Sequence, residues 1–170
     1  MQQLTCYLSL GANLGDRAEQ LAEALEALRA HPRITLAAVS DVYETAAVAD
    51  EPQPDYLNLV VAVQTDLTPL QLLQVCQEIE QRLGRSRPYH HAPRTIDIDL
   101  LACGDIIVHT LELTLPHPRM LERQFVLVPL SDVAAELSVL GGEPVGKLAN
   151  RADPEVRRVG RLEDLMRDGI

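Results

Sequence analysis

The spacing of apolar residues changes several times along the chain, and each change predicts an element. Residues 4–10 form a β-prone run ending at Gly11-Ala12-Asn13-Leu14-Gly15-Asp16, which reads as a tight turn. Leu14, Leu21, Leu25 and Leu28 then recur at helical spacing as far as Pro32. Residues 34–45 alternate and carry Ile34, Leu36, Val39, Val42 and Tyr43, which predicts a single second strand. Residues 46–55 contain Pro52, Pro54 and three acidic side chains without periodicity, the length and character of a lid or binding segment. Residues 56–65 alternate as a third strand. Thr68 as N-cap and Pro69 at the first helical position then open a helix through Leu72, Leu73, Cys76, Ile79 and Leu83, which Gly84 stops. Residues 85–93 make a second long loop with Arg85, Arg87, His90 and His91, where Pro88 and Pro93 exclude a regular helix or a central strand.

The fourth strand is Arg94-Thr95-Ile96-Asp97-Ile98-Asp99-Leu100-Leu101. Beyond it, residues 106–115 are β-prone, residues 122–130 suit a helix with Pro129 near its end, and Gly141-Gly142 marks a turn. Residues 143–170 are charged and poor in large apolar side chains, which predicts a peripheral strand or short helices over one edge. There is no internal repeat. The order β, α, β, β, α, β predicts an α+β, ferredoxin-like sandwich: an antiparallel sheet with helices on one face, the active-site cleft on the other, and long lid loops. The expected organisation is a single domain over residues 1–170, with a core of 1–140 and a peripheral tail of 141–170.

Composition narrows the partners. A chain of 170 residues with 46% hydrophobic content is large enough for its own core. A net charge of −10 argues against nucleic acid and anionic membrane as partners, so an anionic ligand must be small and locally gripped. No apolar run approaches the ~20 residues of a membrane span, and Met1-Gln2-Gln3 lacks the basic start of a signal peptide, which predicts a cytoplasmic protein. Cys6, Cys76 and Cys103 are odd in number and lack metal-ligand spacing, so they read as reduced core residues.

The candidate chemistry lies in the fourth strand. Alternation along a strand sends Asp97 and Asp99 to one face and Ile96, Ile98 and Leu100 to the other. The two carboxylate-bearing Cα atoms should lie roughly 6.5–7 Å apart, close enough for their oxygens to share small cations. Acidic oxygen ligands with little histidine or cysteine nearby suit Mg²⁺ better than Zn²⁺. By itself, Asp-x-Asp also reads as two solvated aspartates on an open sheet face. Arg94 beside the pair and Arg85 and Arg87 upstream favour the site, because anionic phosphate together with Mg²⁺ would satisfy both signs of charge. Gly11 and Gly15 do not make a phosphate loop, since the Lys-Ser/Thr of a Walker A motif is missing and the dinucleotide fingerprint spacing is not met.

These residues belong to a longer set of blocks. Tyr7-Leu8-Ser9-Leu10-Gly11-Ala12-Asn13-Leu14-Gly15, Tyr43-Glu44-Thr45, Gln53-Pro54-Asp55-Tyr56-Leu57-Asn58, Ile79-Glu80 and Leu83-Gly84-Arg85 come first. Ala92-Pro93 leading into the fourth strand, Pro116-His117-Pro118-Arg119-Met120 and Arg123-Gln124-Phe125-Val126-Leu127 follow. In this order they resemble the 6-hydroxymethyl-7,8-dihydropterin pyrophosphokinase family of folate biosynthesis. The resemblance implies Mg²⁺-dependent transfer of pyrophosphate from ATP to the hydroxymethyl group of the pterin, with release of AMP. It implies that Asp97 and Asp99 hold two Mg²⁺ ions, that Arg85 and Arg94 are catalytic, and that Glu80, Arg87, Ile98, His117 and Arg123 bind ATP. It also implies that Tyr56 and Phe125 sandwich the pterin ring while Asn58 and the backbone from Thr45 to Val48 read its edge. ATP and the pterin are thus the expected partners of a monomer.

The chain departs from the family where a basic residue and a tryptophan usually precede Gly-Pro-Arg: here the stretch is Tyr89-His90-His91-Ala92 and is a residue shorter. Two other readings of the same residues are a ferredoxin-like module that binds a ligand without chemistry, and a metal-dependent phosphohydrolase. Neither family nor composition assigns a role to residues 141–170.

Overall fold

The β-prone run at the N-terminus does not stop at Gly11. Strand β1 (Leu4–Ala12) continues because strand β4 supplies partners for Gly11 and Ala12 at Asn58 and Leu57. In this computed structural model, residues 3–46, 55–84 and 96–167 are described. Helix α1 (Arg17–Ala30) begins where the Asp16 carboxylate accepts the Glu19 N–H, and it buries Ala18, Leu21, Ala24, Leu25 and Leu28. Leu14 lies ahead of it.

The expected second strand is two: β2 (Ile34–Val39) and β3 (Val42–Thr45). The break falls at Ser40, whose N–H donates to the Val60 carbonyl at 2.9 Å while its hydroxyl accepts the Val60 N–H at 2.8 Å. A side-chain oxygen thus stands where a strand carbonyl would, and the chain turns without orphaning the Val60 amide. Strand β4 (Tyr56–Thr65) pairs with β1, β2 and β3. Helix α2 (Pro69–Leu83) opens with a complete capping box between Thr68 and Gln71.

Strand β5 (Asp97–Cys103) pairs antiparallel with β1. The segment thereafter narrows to a small hairpin, β6 (Val108–His109) and β7 (Thr114–Leu115), and a 3-10 turn (Met120–Glu122). Helix α3 (Gln124–Ala134) runs through Pro129 rather than ending beside it. Proline there forfeits the bond to the Phe125 carbonyl and crowds that carbonyl, costs that the burial of Val126, Leu127, Val128 and Leu130 around it offsets. Helix α4 (Val145–Leu148), strand β8 (Arg157–Gly160) and helix α5 (Leu162–Arg167) complete the described chain. The main sheet has six strands in the order β5-β1-β4-β3-β8, with β2 also on β4, and its pairings are antiparallel.

Strand alternation divides the core in two. Leu8, Leu10, Leu57, Leu59, Val61, Val63, Ile98 and Leu100 pack with the apolar stripes of α1 and α2. On the opposite face Val60 and Leu101 pack with Met120, Val126, Leu127 and Leu130. This corrects the expectation of helices on one face only: α3 is apolar around most of its circumference, so it needs a second sheet surface to bury. Only part of that face remains for a site.

Residues 141–167 are integrated at the edge. β8 extends the sheet beside β3, Val145 belongs to the α3 cluster, and Leu162 and Leu165 are buried in the main core beside α1. Among the described residues, no helix is long and apolar enough to cross a membrane. The cysteines are free and buried, as their number and spacing predict.

Leu165 is 3% exposed although it lies near the chain end. Leu165→Ala should cost about 2–5 kcal/mol of global stability, because it opens a cavity in the main core rather than loosening an appendage. Urea unfolding checks this: a midpoint indistinguishable from that of the parent would contradict the packing.

Candidate active site

On the face that α3 leaves open, the sheet register brings together residues far apart in sequence. Asp97 lies across from Gly11 and Asp99 across from Ser9 between β5 and β1. Gly11 is paired on its other side with Asn58, Asn58 with Tyr43, and Tyr56 with Thr45. Directly paired residues project to the same face, so Asp97, Asp99, Ser9, Gly11, Asn58, Tyr56 and Thr45 share one surface. The alternation read from the sequence therefore holds: Ile98 and Leu100 are in the core while Asp99 is exposed and Asp97 half-buried.

Gly11, taken from the sequence as part of a turn, is inside this surface. A Cβ there would sit 3.0 Å from Asn58 Oδ1 and 3.5 Å from the Tyr56 ring. Glycine thus keeps a recess open between a buried amide and a half-buried aromatic ring. Asn58 Nδ2 donates to Thr45 Oγ1 at 2.9 Å, which fixes the amide's orientation across the β3–β4 ladder. Tyr56 sees the negative field of Asp97: burial first, then that charge, raise its phenol above the ordinary tyrosine value.

Beyond Asp99 lies a group of nitrogen-bearing side chains. The His117 backbone N–H donates to the Leu101 carbonyl at 2.8 Å, anchoring the Pro116–Arg119 stretch to β5. His117 is half-buried and its pKa is lowered, chiefly by desolvation, with Arg123 and Arg119 also disfavouring its charge and Asp99 opposing them. Arg123 precedes α3, and its guanidinium carbon lies 5.6 Å from the centroid of the Phe125 ring. Phe125, in the first turn of the helix and half-buried, packs against the cluster of Tyr43, Val128 and Val156. Since Tyr43 is paired with Asn58, the second aromatic is brought toward the Asn58 side of the surface.

Tyr43, a strand residue and part of a family block in the sequence, gains a supporting role from its spatial partners. It is buried, its hydroxyl donates to Asp132 Oδ2 at 2.7 Å, and Arg151 reaches the same carboxylate at 2.7 Å. Burial and the Asp132 hydrogen bond push its pKa up to about 12, so it is a neutral donor at any physiological pH. No periodicity could disclose this, because Asp132 and Arg151 are on elements that the sequence places only loosely.

Glu80 projects from α2 and accepts the Ile98 N–H at 2.9 Å, capping the open edge of β5. The Ile98 side chain is buried, so only its backbone offers polar groups to a ligand; the carbonyl of an antiparallel strand residue lies on the same edge as its N–H. Val48, Arg85, Arg87, His90, His91 and Arg94 lie outside the described residues. Asp97 and Asp99 suit a hard cation that keeps water and phosphate oxygens as further ligands. Among the described residues no cluster of three or more His, Cys, Asp or Glu side chains offers a fuller cage.

The lowered pKa of His117 has a measurable consequence. The folded protein binds this proton more weakly than the unfolded chain does, so the stabilisation is complete above the ordinary value of 6.5 and is lost as pH falls through the lower folded value. His117→Gln should flatten the decline of stability below pH 6.5, measured by urea unfolding across a pH series. Parallel slopes for parent and variant would count against a desolvated His117.

Comparisons with known proteins bear on the family and the fold. The family model for 7,8-dihydro-6-hydroxymethylpterin-pyrophosphokinase (HPPK) matches residues 7–135. A relative from Methylorubrum extorquens, 2-amino-4-hydroxy-6-hydroxymethyldihydropteridine pyrophosphokinase, is 47% identical over 148 residues, 87% of this chain and 93% of its own. The protein of the same name from Bacillus subtilis is 42% identical over 131 residues, 77% of this chain and 78% of its own. Among solved structures, Plasmodium falciparum HPPK-DHPS crystallised with pteroate superposes with a TM-score of 0.72 at 15% identity, covering 92% of this chain and 48% of that one. This last likeness concerns the fold, and the chain spans about half of that longer protein. With the family model spanning both the aspartate strand and the His117–Phe125 segment, the chain belongs to the 7,8-dihydro-6-hydroxymethylpterin-pyrophosphokinase family.

Proposed function

We propose that the chain, a pyrophosphokinase of folate biosynthesis by family, transfers pyrophosphate from ATP to the hydroxymethyl group of 6-hydroxymethyl-7,8-dihydropterin and releases AMP. The observation that carries this reading is the division of one sheet surface. Asp97 and Asp99 separate a ring-accepting side, with Tyr56, Asn58 and the recess over Gly11, from an anion-accepting side with His117 and Arg123. A flat heteroaromatic and a triphosphate need those two environments side by side.

In this reading the pterin hydroxyl attacks the β-phosphorus in line, and the bond from that phosphorus to the oxygen it shares with the α-phosphate breaks, leaving AMP. No side-chain nucleophile is required, so the residues act by positioning and electrostatics. Asp97 and Asp99 hold two Mg²⁺ ions, whose chemistry there is to neutralise phosphate charge. Arg85 and Arg94 stabilise the charge of the transferring group, while Arg87, His117 and Arg123 grip phosphates. Glu80 and the Ile98 backbone line the nucleotide side along the β5 edge. Tyr56 and Phe125 clasp the ring, each aromatic contact contributing about 0.5–1.5 kcal/mol beyond area burial. Asn58, together with Thr45 and the backbone to Val48, reads the ring's edge.

The strand order and the pairing of helices with the sheet support a ferredoxin-like arrangement; the length and composition of segments 46–55 and 85–93 in the sequence support their reading as lids. Residues 1–170 act as one catalytic domain, a monomer in the cytoplasm.

The direct test incubates the protein with ATP, Mg²⁺ and the pterin and resolves AMP, ADP and phosphate. AMP formed in proportion to pterin diphosphate is expected, and Asp97→Ala should abolish it while the variant's unfolding midpoint stays close to that of the parent. Phosphate release without an acceptor would point to a hydrolase, and no turnover with intact ligand binding to a non-catalytic module. The recess gives a second expectation: Gly11→Ala should weaken pterin binding about tenfold, ~1.4 kcal/mol, with little change for ATP. Calorimetry on each ligand decides, and unchanged pterin affinity would place the ring elsewhere.

A further inference from the structure

Directly beneath the ring-accepting side, on the helix face of the sheet, two arginines and two acidic residues close a ring of charge. Arg17 Nη1, at the first position of α1, lies 2.7 Å from Glu44 Oε2 and donates to the Asp55 carbonyl at 2.8 Å. Arg157 Nη2, on β8, lies 2.9 Å from Glu44 Oε1 and 3.1 Å from Asp55 Oδ2. Each arginine therefore bridges Glu44 and Asp55, and each acidic residue is held by both arginines. The Glu44 carboxylate is largely shielded, with its side chain 19% exposed.

The placement matters more than the pairing. Glu44 is covalently next to Thr45, and Asp55 is next to Tyr56, and these two neighbours are themselves a cross-strand pair on the opposite face. The ring thus ties together both strands at one end of the β3–β4 ladder, where three residue pairs join them among the described residues. Arg157 comes from the segment to which the sequence assigns no role, and it is Glu44's partner in the β3–β8 ladder.

We propose that Arg17 and Arg157, through Glu44 and Asp55, are positioning residues for pterin recognition: they hold the spacing of Thr45 and Tyr56, and the stretch around β8 exists in part to deliver Arg157. This rests on the pterin reading of that surface. The nucleotide side is framed by β5, α2 and the His117 segment, whereas the hydrogen bonds and ion pairs of Arg17 and Arg157 given above run to Glu44 and Asp55, so the effect should be selective for one ligand.

The experiment compares Arg157→Ala, Arg157→Lys, Glu44→Gln and the double variant Glu44→Gln/Arg157→Ala in the full chain. Calorimetry with the pterin should show affinity falling about 3- to 10-fold for Arg157→Ala, with partial rescue by lysine. Affinity for a non-hydrolysable ATP analogue should stay within about twofold. The double variant should lose less than the product of the two single losses, because both remove members of one ring. Amide exchange at Tyr56 and Asn58, followed without ligand, should accelerate in Arg157→Ala. Equal losses for both ligands with a lowered unfolding midpoint would make the ring merely structural, and unaltered pterin affinity and exchange would overturn the proposal. A parent that binds no pterin, yet shows faster exchange in Arg157→Ala, would instead sink the pterin reading and leave the mechanical role of the ring standing.

Discussion

The antiparallel ladder between β1 and β4, running residue for residue from Leu4–Thr65 to Ala12–Leu57, is the constraint on which the rest depends. Because side chains alternate along both strands, this register sends Leu8, Leu10, Leu57, Leu59 and Val61 into the main core and Gly11 and Asn58 to the site. A slip by one residue would exchange the two faces, burying the amide of Asn58 among α1 and α2. The apolar demand of the core therefore fixes the polar geometry opposite. β5 joins the same frame through β1, with a register shift between Tyr7 and Leu8 that accommodates Leu101 as an extra residue. Before the shift Asp97 and Asp99 face the site; at it, Leu101 enters the α3 cluster.

α3 divides the second face by the same physics. Its apolar circumference covers Val60 and Leu101, leaving Asp97, Asp99 and Tyr56 with access to solvent. Its first turn also supplies Phe125 and, just ahead, Arg123. One helix thus closes a core and frames a site. Tyr43 joins the two tasks, packing under Phe125 while its hydroxyl is satisfied by Asp132. A buried phenol without that partner would cost on the order of 1–3 kcal/mol, which explains why Asp132 and Arg151 are drawn to it.

The electrostatics follow from position rather than from composition. The chain is strongly acidic overall, yet His117, Arg119 and Arg123 gather beside Asp99. Partial burial of His117 disfavours the imidazolium, the positive charges of Arg123 and Arg119 add to that, and Asp99 opposes it. An anion arriving among these groups would favour the charged form, since it offsets the two positive neighbours.

Much of this was legible in the chain alone. Alternation about Asp97 and Asp99, the capping residue Thr68, and the helical stripes of α1 and α2 are local properties, decided by a period of 2 or 3.6 and by short-range hydrogen bonds. The ordered motifs of the family were likewise readable, from Gly11 to Phe125. What sequence could not decide depended on partners distant in the chain. Gly11 looks like a turn residue until Asn58 pairs with it, and residues 34–45 look like one strand until the Ser40 hydroxyl takes a place in the ladder with Val60. Pro129 looks like a stop until burial on both sides carries the helix through it. Residues 141–170 look peripheral because Leu162, Leu165 and Arg157 are too widely spaced to make a pattern, and they acquire meaning only against α1, Glu44 and Asp55. Local periodicity determines which face a side chain takes; the tertiary structure alone decides what waits on that face, because burial and charge pairing are properties of neighbours in space.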